Sequence, residues 1–145
     1  MNLTRDGARL RRGCTVKCLD TDLLVAILRG KEETRDRVAA LDEGGREATT
    51  SINAFEIVYG AQKSEKRSEN LKEALRLLGR LHVMPFDVAS ARRAGEAAAS
   101  LAAKGEGIDY RDSMIAGIAL ENDITLVTRN ERHFSRIKGL KLEVW

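Results

Sequence analysis

Three acidic residues stand in apolar surroundings. Asp20 lies between Cys18-Leu19 and Leu23-Leu24, Glu56 between Phe55 and Ile57, and Asp112 just before Met114-Ile115-Ala116. A carboxylate in such a setting needs a partner, and no basic residue lies inside these apolar segments. Gathered in one place, the three would repel one another unless a cation sat among them. An all-oxygen site of one to three carboxylates suits Mg²⁺ or Mn²⁺. Such an ion activates water and neutralises the charge that builds on a phosphodiester under attack. Each residue also has a plainer reading. Asp20 could cap a helix, although Asp22 fits that role better. Glu56 could be a solvated helix residue. Asp112 could serve the dipole of a helix that Asp109 caps.

The elements around these residues decide whether they meet. Thr15 to Leu19 reads as a strand that ends at Asp20. Leu23, Leu24, Ile27 and Leu28 recur at helical spacing up to Gly30, and a charged helix follows from Glu32 to Asp42. A threonine-rich strand is predicted over 47–51 and a helix from Ile52 to Gly60. A longer amphipathic helix spans 64–81, with Leu71, Leu75 and Leu78 on one face. His82 to Phe86 reads as a strand, and its proline points to a strand end or an edge position. Asp87 can cap an alanine-rich helix that runs to Lys104. A further helix opens at Asp109, a strand covers 124–127, and a last strand covers 140–144. Strands alternating with helices predict parallel strands joined by right-handed crossovers, hence a layered α/β domain. Ligands of open parallel sheets bind at the carboxyl ends of the strands. Asp20 follows the first strand directly, Glu56 lies one helical turn beyond the second, Asp112 lies in the first turn of the helix before the strand at 124–127, and Thr128-Arg129-Asn130 follows that strand. These segments meet if the central strands are neighbours, which this topology favours.

Composition sets limits. The 145 residues carry 25 Lys and Arg against 22 Asp and Glu, a net charge of +3. That permits a polyanionic partner without requiring one. Aromatic residues make up 4%, too few for a base-stacking platform to be the main device. A mononucleotide-binding protein would want a glycine-rich loop after the first strand, where this chain has Asp20-Thr21-Asp22-Leu23. Residues 1–13 are basic and without period. They read as a flexible extension whose Arg5, Arg9, Arg11 and Arg12 could touch phosphates, ahead of one domain over 14–145. No secretory signal or membrane span is evident, which points to the cytoplasm. With Thr15 to Leu19 as a strand, Cys14 and Cys18 stand four apart along one side of it, too far to bridge easily, and read as reduced thiols near the core. His82 and His133 read as structural or surface residues.

Four segments in order carry a resemblance. Leu19-Asp20-Thr21-Asp22-Leu23-Leu24, Thr50 through Ala61, Asp112-Ser113-Met114-Ile115-Ala116 and Leu126-Val127-Thr128-Arg129-Asn130 resemble the successive motifs of PIN-domain nucleases, above all VapC-type toxins. The resemblance implies a PIN fold, with a parallel sheet flanked by helices on both faces (an α/β/α sandwich). It also implies a Mg²⁺- or Mn²⁺-dependent endoribonuclease, the toxin of a type II toxin–antitoxin pair. Its partners would be an RNA substrate, a small antitoxin and a second copy of the chain. The family's acidic residues fall on Asp20, Glu56 and Asp112. A fourth, common after the strand at 124–127, is replaced by Asn130, so one metal is expected rather than two. Asp109 would supply the missing charge or cap its helix, with the cap preferred. Ser51 and Thr128 would hydrogen-bond a carboxylate or phosphate. Asp22 would orient the loop around Asp20, and Arg111 and Arg129 would clamp RNA phosphate. Alternatives are a housekeeping RNA-processing nuclease and a non-catalytic RNA- or protein-binding module. An antitoxin groove is expected beside Leu23, Leu24, Ile27 and Leu28, although most of these leucines also suit a core.

Overall fold

In the computed structural model, residues 16–145 are described. The predicted extension over 1–13, Cys14 and Thr15 lie outside them.

The strands are β1 (Cys18–Leu19), β2 (Ala48–Thr50), β3 (His82–Met84), β4 (Leu126–Thr128) and β5 (Leu142–Val144). They form one sheet in the order β3-β2-β1-β4-β5, and every pairing is parallel. The chain builds outward from β1 through β2 to β3, then returns to lay β4 on the other side of β1. The order therefore reverses at β1, and a crevice opens between the carboxyl ends of β1 and β4.

Strand alternation assigns the two faces. Cys18 and Leu126 point into a core shared with Leu101, Ile115, Ile118 and Phe134. Their neighbours Leu19 and Val127 point the other way, into a core with Leu23, Leu24, Ile57, Leu77 and Leu81. The second core lies under α1 (Thr21–Leu28), α2 (Arg35–Asp42), α3 (Ser51–Lys63) and α4 (Arg67–Gly79). The first lies under α5 (Val88–Ala103), α6 (Tyr110–Glu121) and α7 (Glu131–Phe134). No described helix is long and apolar enough to cross a membrane.

Several boundaries differ from expectation. Ser51 opens α3 rather than closing β2, because the Thr50 side chain caps that helix in a reciprocal pair with Asn53. Gly60 does not end α3. Burial of Ile57 and Ala61 carries the helix on to Lys63. Within α4 the buried positions are Ala74 and Leu77, while Leu75 is exposed. Ile124 is buried but precedes β4. Asp87 caps α5 and Asp109 caps α6 through side-chain bonds to Ser90 N and Arg111 N. The expectation for α1 is overturned: Asp20, not Asp22, is its N-cap, its carboxylate accepting from Thr21 N.

α6 is set by close packing. A Cβ at Gly117 would lie 2.5 Å from the Ser90 carbonyl oxygen and 2.7 Å from Ala94 Cβ. Only glycine lets α6 approach α5 this closely, and that approach fixes where α6 carries Asp112.

Candidate active site

Asp20 follows β1 into the crevice and is buried. Its carboxylate is held from three sides. Oδ1 accepts from Thr21 N at 2.8 Å and from Asn53 Nδ2 at 2.9 Å, and Oδ2 accepts from Thr128 Oγ1 at 2.7 Å. Burial pushes its pKa up to about 6, against the lowering effect of these donors, and nearby Asp22 adds to the rise.

Glu56 sits one turn into α3. Its Oε1 accepts from Thr21 Oγ1 at 3.0 Å, and Thr21 Oγ1 accepts in turn from Asn53 Nδ2 at 2.9 Å. The amide of Asn53, fully buried, thus ties Asp20 to the Glu56 relay. Asp112 enters from the first turn of α6, where its Oδ2 lies 3.2 Å from His133 Nδ1. Burial raises the pKa of both Glu56 and Asp112, and each also feels acidic neighbours: Asp112 and Asp109 act on Glu56, and Asp109 acts on Asp112.

The other predicted residues divide. Thr128 touches Asp20, and Asp22 accepts from Arg129 N at 2.8 Å. Arg111 reaches back over the crevice, its guanidinium 3.3 Å from Asp109 and 3.9 Å from Glu56. The absence of a basic group inside the apolar segments was therefore no guide, because the cation comes from the neighbouring helix end. Ser51 is not turned to a carboxylate; its Oγ accepts from Phe86 N at 3.1 Å and ties α3 to the end of β3. Arg129 is not free to clamp phosphate. It pairs with Glu33 at 2.6 Å and lies 3.6 Å above the Trp145 ring. Asn130 is turned toward His133, with 3.0 Å between Nδ2 and Nδ1. One ring nitrogen serves Asn130 or Asp112 according to its tautomer.

Sequence reading missed Thr21, Asn53, His133 and Trp145. Asn53 left a signal, a polar residue one turn before Glu56 in an otherwise apolar helix start. His133, read from sequence as a structural or surface residue, is exposed and stands one turn past Asn130, beside Asp112. Cys18 is a buried free thiol whose pKa burial drives above the usual range.

The donor set suits a hard cation. All the acidic groups are oxygen ligands, and Arg111 is the cation nearest Glu56. Among the described residues no three Asp, Glu, His or Cys side chains stand close enough together to chelate an ion as they are. Magnesium-like ions keep several waters and take one or two carboxylates directly, so carboxylates spaced around a crevice fit such an ion.

The PIN domain family matches residues 17–140. The chain belongs to the PIN domain family. It is 32% identical over 127 residues to the "tRNA(fMet)-specific endonuclease VapC" of Shigella flexneri, covering 88% of this chain and 96% of the relative. It is 35% identical over 128 residues to the protein of the same name from Salmonella typhimurium, with the same coverage. Among solved structures, VapBC2 from Rickettsia felis bound to a promoter DNA fragment superposes with a TM-score of 0.81 at 30% identity, covering 90% of this chain and 98% of that one. DNA-bound VapBC from Salmonella typhimurium superposes with a TM-score of 0.81 at 34% identity, with the same coverage. In this fold Asp20 directly follows β1, while α3 carries Glu56 and the first turn of α6 carries Asp112.

Of the leucines considered for a partner groove, Leu23 and Leu24 are core, fully buried. Leu28 and Val25 instead line a cleft of about 300 Å³ between α1, α3 and α4, and Glu56 lies on its wall.

Proposed function

We propose that this PIN domain is a VapC-type endoribonuclease, the toxin member of a toxin–antitoxin pair. The observation that carries the reading is the relay Thr128–Asp20–Asn53–Thr21–Glu56, which holds two acidic groups in fixed orientation at the sheet's switch point. Asp20, Glu56 and Asp112 are the residues that would hold Mg²⁺ or Mn²⁺. When bound, that ion supplies an activated water and neutralises charge on the phosphodiester.

The chain's own residues do the rest. Thr128 and Asn53 fix the Asp20 carboxylate, and Thr21 fixes Glu56. His133, on α7, steadies the Asp112 carboxylate of α6. Arg111, exposed beside Glu56, would meet a phosphate oxygen. Asn130 contributes an amide where a fourth acid would add charge, which favours one ion over two. The antitoxin segment would lie in the cleft beside Leu28, where a basic side chain could reach Glu56 and compete with the ion. A homodimer belongs to the same reading.

Cleavage of defined RNAs in Mg²⁺, Mn²⁺ and EDTA tests it, with Asp112→Asn as control. The tRNA(fMet) named for two relatives is the first substrate to try. Cleavage that survives EDTA, or an Asp112→Asn variant as fast as the parent, would overturn the assignment. The non-catalytic alternative predicts no divalent-ion binding at millimolar concentration.

A further inference from the structure

The sheet's last strand delivers the chain's one tryptophan to the rim of the crevice. Trp145 Nε1 donates to Asp22 Oδ1 at 3.2 Å. The other oxygen of Asp22 accepts from Arg129 N at 2.8 Å and lies 3.5 Å from Thr128 Oγ1. Arg129 closes the ring. Its guanidinium stacks on the indole at 3.6 Å, its Nε donates to the Trp145 carbonyl at 3.2 Å, and it pairs with Glu33. Trp145 is half-buried and packs against the core that contains Leu19, Leu23 and Val127.

This arrangement has one output into the centre. The turn after β4 is pinned by Asp22 on its Arg129 amide and by Asn130 N donating to Thr128 Oγ1 at 2.9 Å. That pinned turn aims the Thr128 hydroxyl at Asp20 Oδ2. A ring that merely filled a surface gap would need neither the N–H donor nor the guanidinium stack.

We propose that Trp145 is a positioning residue of the catalytic centre. Its indole N–H holds Asp22, Asp22 holds the turn after β4, and the turn presents Thr128 to Asp20. The inference rests on the ribonuclease reading and adds to it a residue that touches neither ion nor RNA. Groups that orient metal-binding carboxylates are worth about 10- to 100-fold in affinity or activity.

The test uses the full chain with Trp145→Phe, which keeps a ring for Arg129 and deletes the N–H, and Asp22→Asn. With one tryptophan, one indole N–H signal appears in a ¹H–¹⁵N spectrum. It moves in metal-free Asp22→Asn relative to the parent. Trp145→Phe binds Mg²⁺ about tenfold more weakly by calorimetry. Its kcat falls, its KM for RNA stays near the parent's, and its melting temperature changes little. Trp145→Ala loses the same function and stability as well. An unmoved indole signal in Asp22→Asn overturns the inference. So does an active parent matched by Trp145→Phe in both Mg²⁺ affinity and kcat. A parent that neither binds Mg²⁺ nor cleaves RNA overturns the ribonuclease reading and the inference with it.

Discussion

The Thr128 hydroxyl donates to Asp20 Oδ2 at 2.7 Å and joins two strand ends 108 residues apart in sequence. β1 and β4 are neighbours in the sheet, so the parallel pairing itself brings the two together. Both residues are buried, and a buried acceptor that loses its donor keeps its full desolvation penalty. Thr128→Val is isosteric and lacks the hydroxyl. It should cost about 1–3 kcal/mol of stability at neutral pH and raise the pKa of Asp20 further. The acid limb of the pH–rate profile should then move to higher pH, with Thr128→Ser restoring it. An unmoved acid limb would show that the hydroxyl does not act on Asp20.

Asp20 gives stability a specific pH dependence. Its folded pKa, about 6, lies above its ordinary value of 3.8. The folded state therefore holds this proton more tightly than the unfolded chain does. The metal-free protein is favoured by this group below about pH 4 and loses that advantage as pH rises through 6. The loss amounts to roughly 3 kcal/mol above pH 6. Asp20→Asn removes the charge and should be folded, inactive and, without metal at pH 7.5, at least as stable as the parent. Mg²⁺ should raise the parent's melting temperature more at pH 7.5 than at pH 5, and should not raise that of Asp20→Asn. Thermal melts at the two pH values decide it. An Asp20→Asn protein that melts well below the parent would mean that the carboxylate is structural.

The fold was legible because period and burial agree along the chain. Leu19 and Cys18 alternate between two cores, and Leu23-Leu24 and Ile57 recur at helical spacing beneath one of them. The acidic residues were legible because a carboxylate beside Leu19 or Ile57 has no apolar explanation. Their supports were not. Asn53 reaches Asp20 across 33 positions and His133 reaches Asp112 across 21, contacts that only the assembled sheet creates. The capping of α1 was misread for a related reason. By residue type Asp20 and Asp22 can both cap, and the sequence reading preferred Asp22. The helix starts at Thr21 because Asp20 keeps an extended backbone and its carboxylate accepts from Thr21 N, while the Asp22 carboxylate is engaged by Arg129 N and Trp145.

Asn53 is the joint between fold and chemistry. Its side chain caps α3 through Thr50 and donates to Asp20 and Thr21. Asn53→Ala would strand several buried partners at once. A loss of about 3 kcal/mol is expected, read as a lower denaturant midpoint at unchanged slope. Activity should fall even at temperatures where the variant is folded, because Asp20 and Glu56 lose their common anchor. Full activity in the folded variant would separate the capping role from the site.

Gly117 links packing to Asp112. An alanine there places its Cβ within 2.7 Å of Ala94 and closer still to the Ser90 carbonyl, and backbone cannot yield as a flexible side chain can. Gly117→Ala should cost about 1–3 kcal/mol and push α6 away from α5. Asp112 and Arg111 ride on α6, so metal affinity should fall along with stability. Unchanged stability would mean that the contact of Gly117 with Ser90 and Ala94 does not fix α6 on α5.

Arg111 separates substrate binding from ion binding. Its guanidinium is exposed and lies between Asp109 and Glu56. The pair with Asp109 holds that carboxyl below its usual range, while Glu56 gains only a distant positive neighbour. If the arginine meets RNA phosphate, Arg111→Ala should raise KM for RNA by roughly threefold to tenfold, an effect that shrinks as salt rises. Removing a positive charge beside Glu56 should at the same time leave Mg²⁺ binding equal or tighter. The two measurements move in opposite directions only if Arg111 serves the substrate. Weaker Mg²⁺ binding with an unchanged KM would instead make Arg111 a support for Asp109 and the start of α6. Arg111→Lys keeps the charge but loses the planar fork, and should recover only part of the RNA affinity.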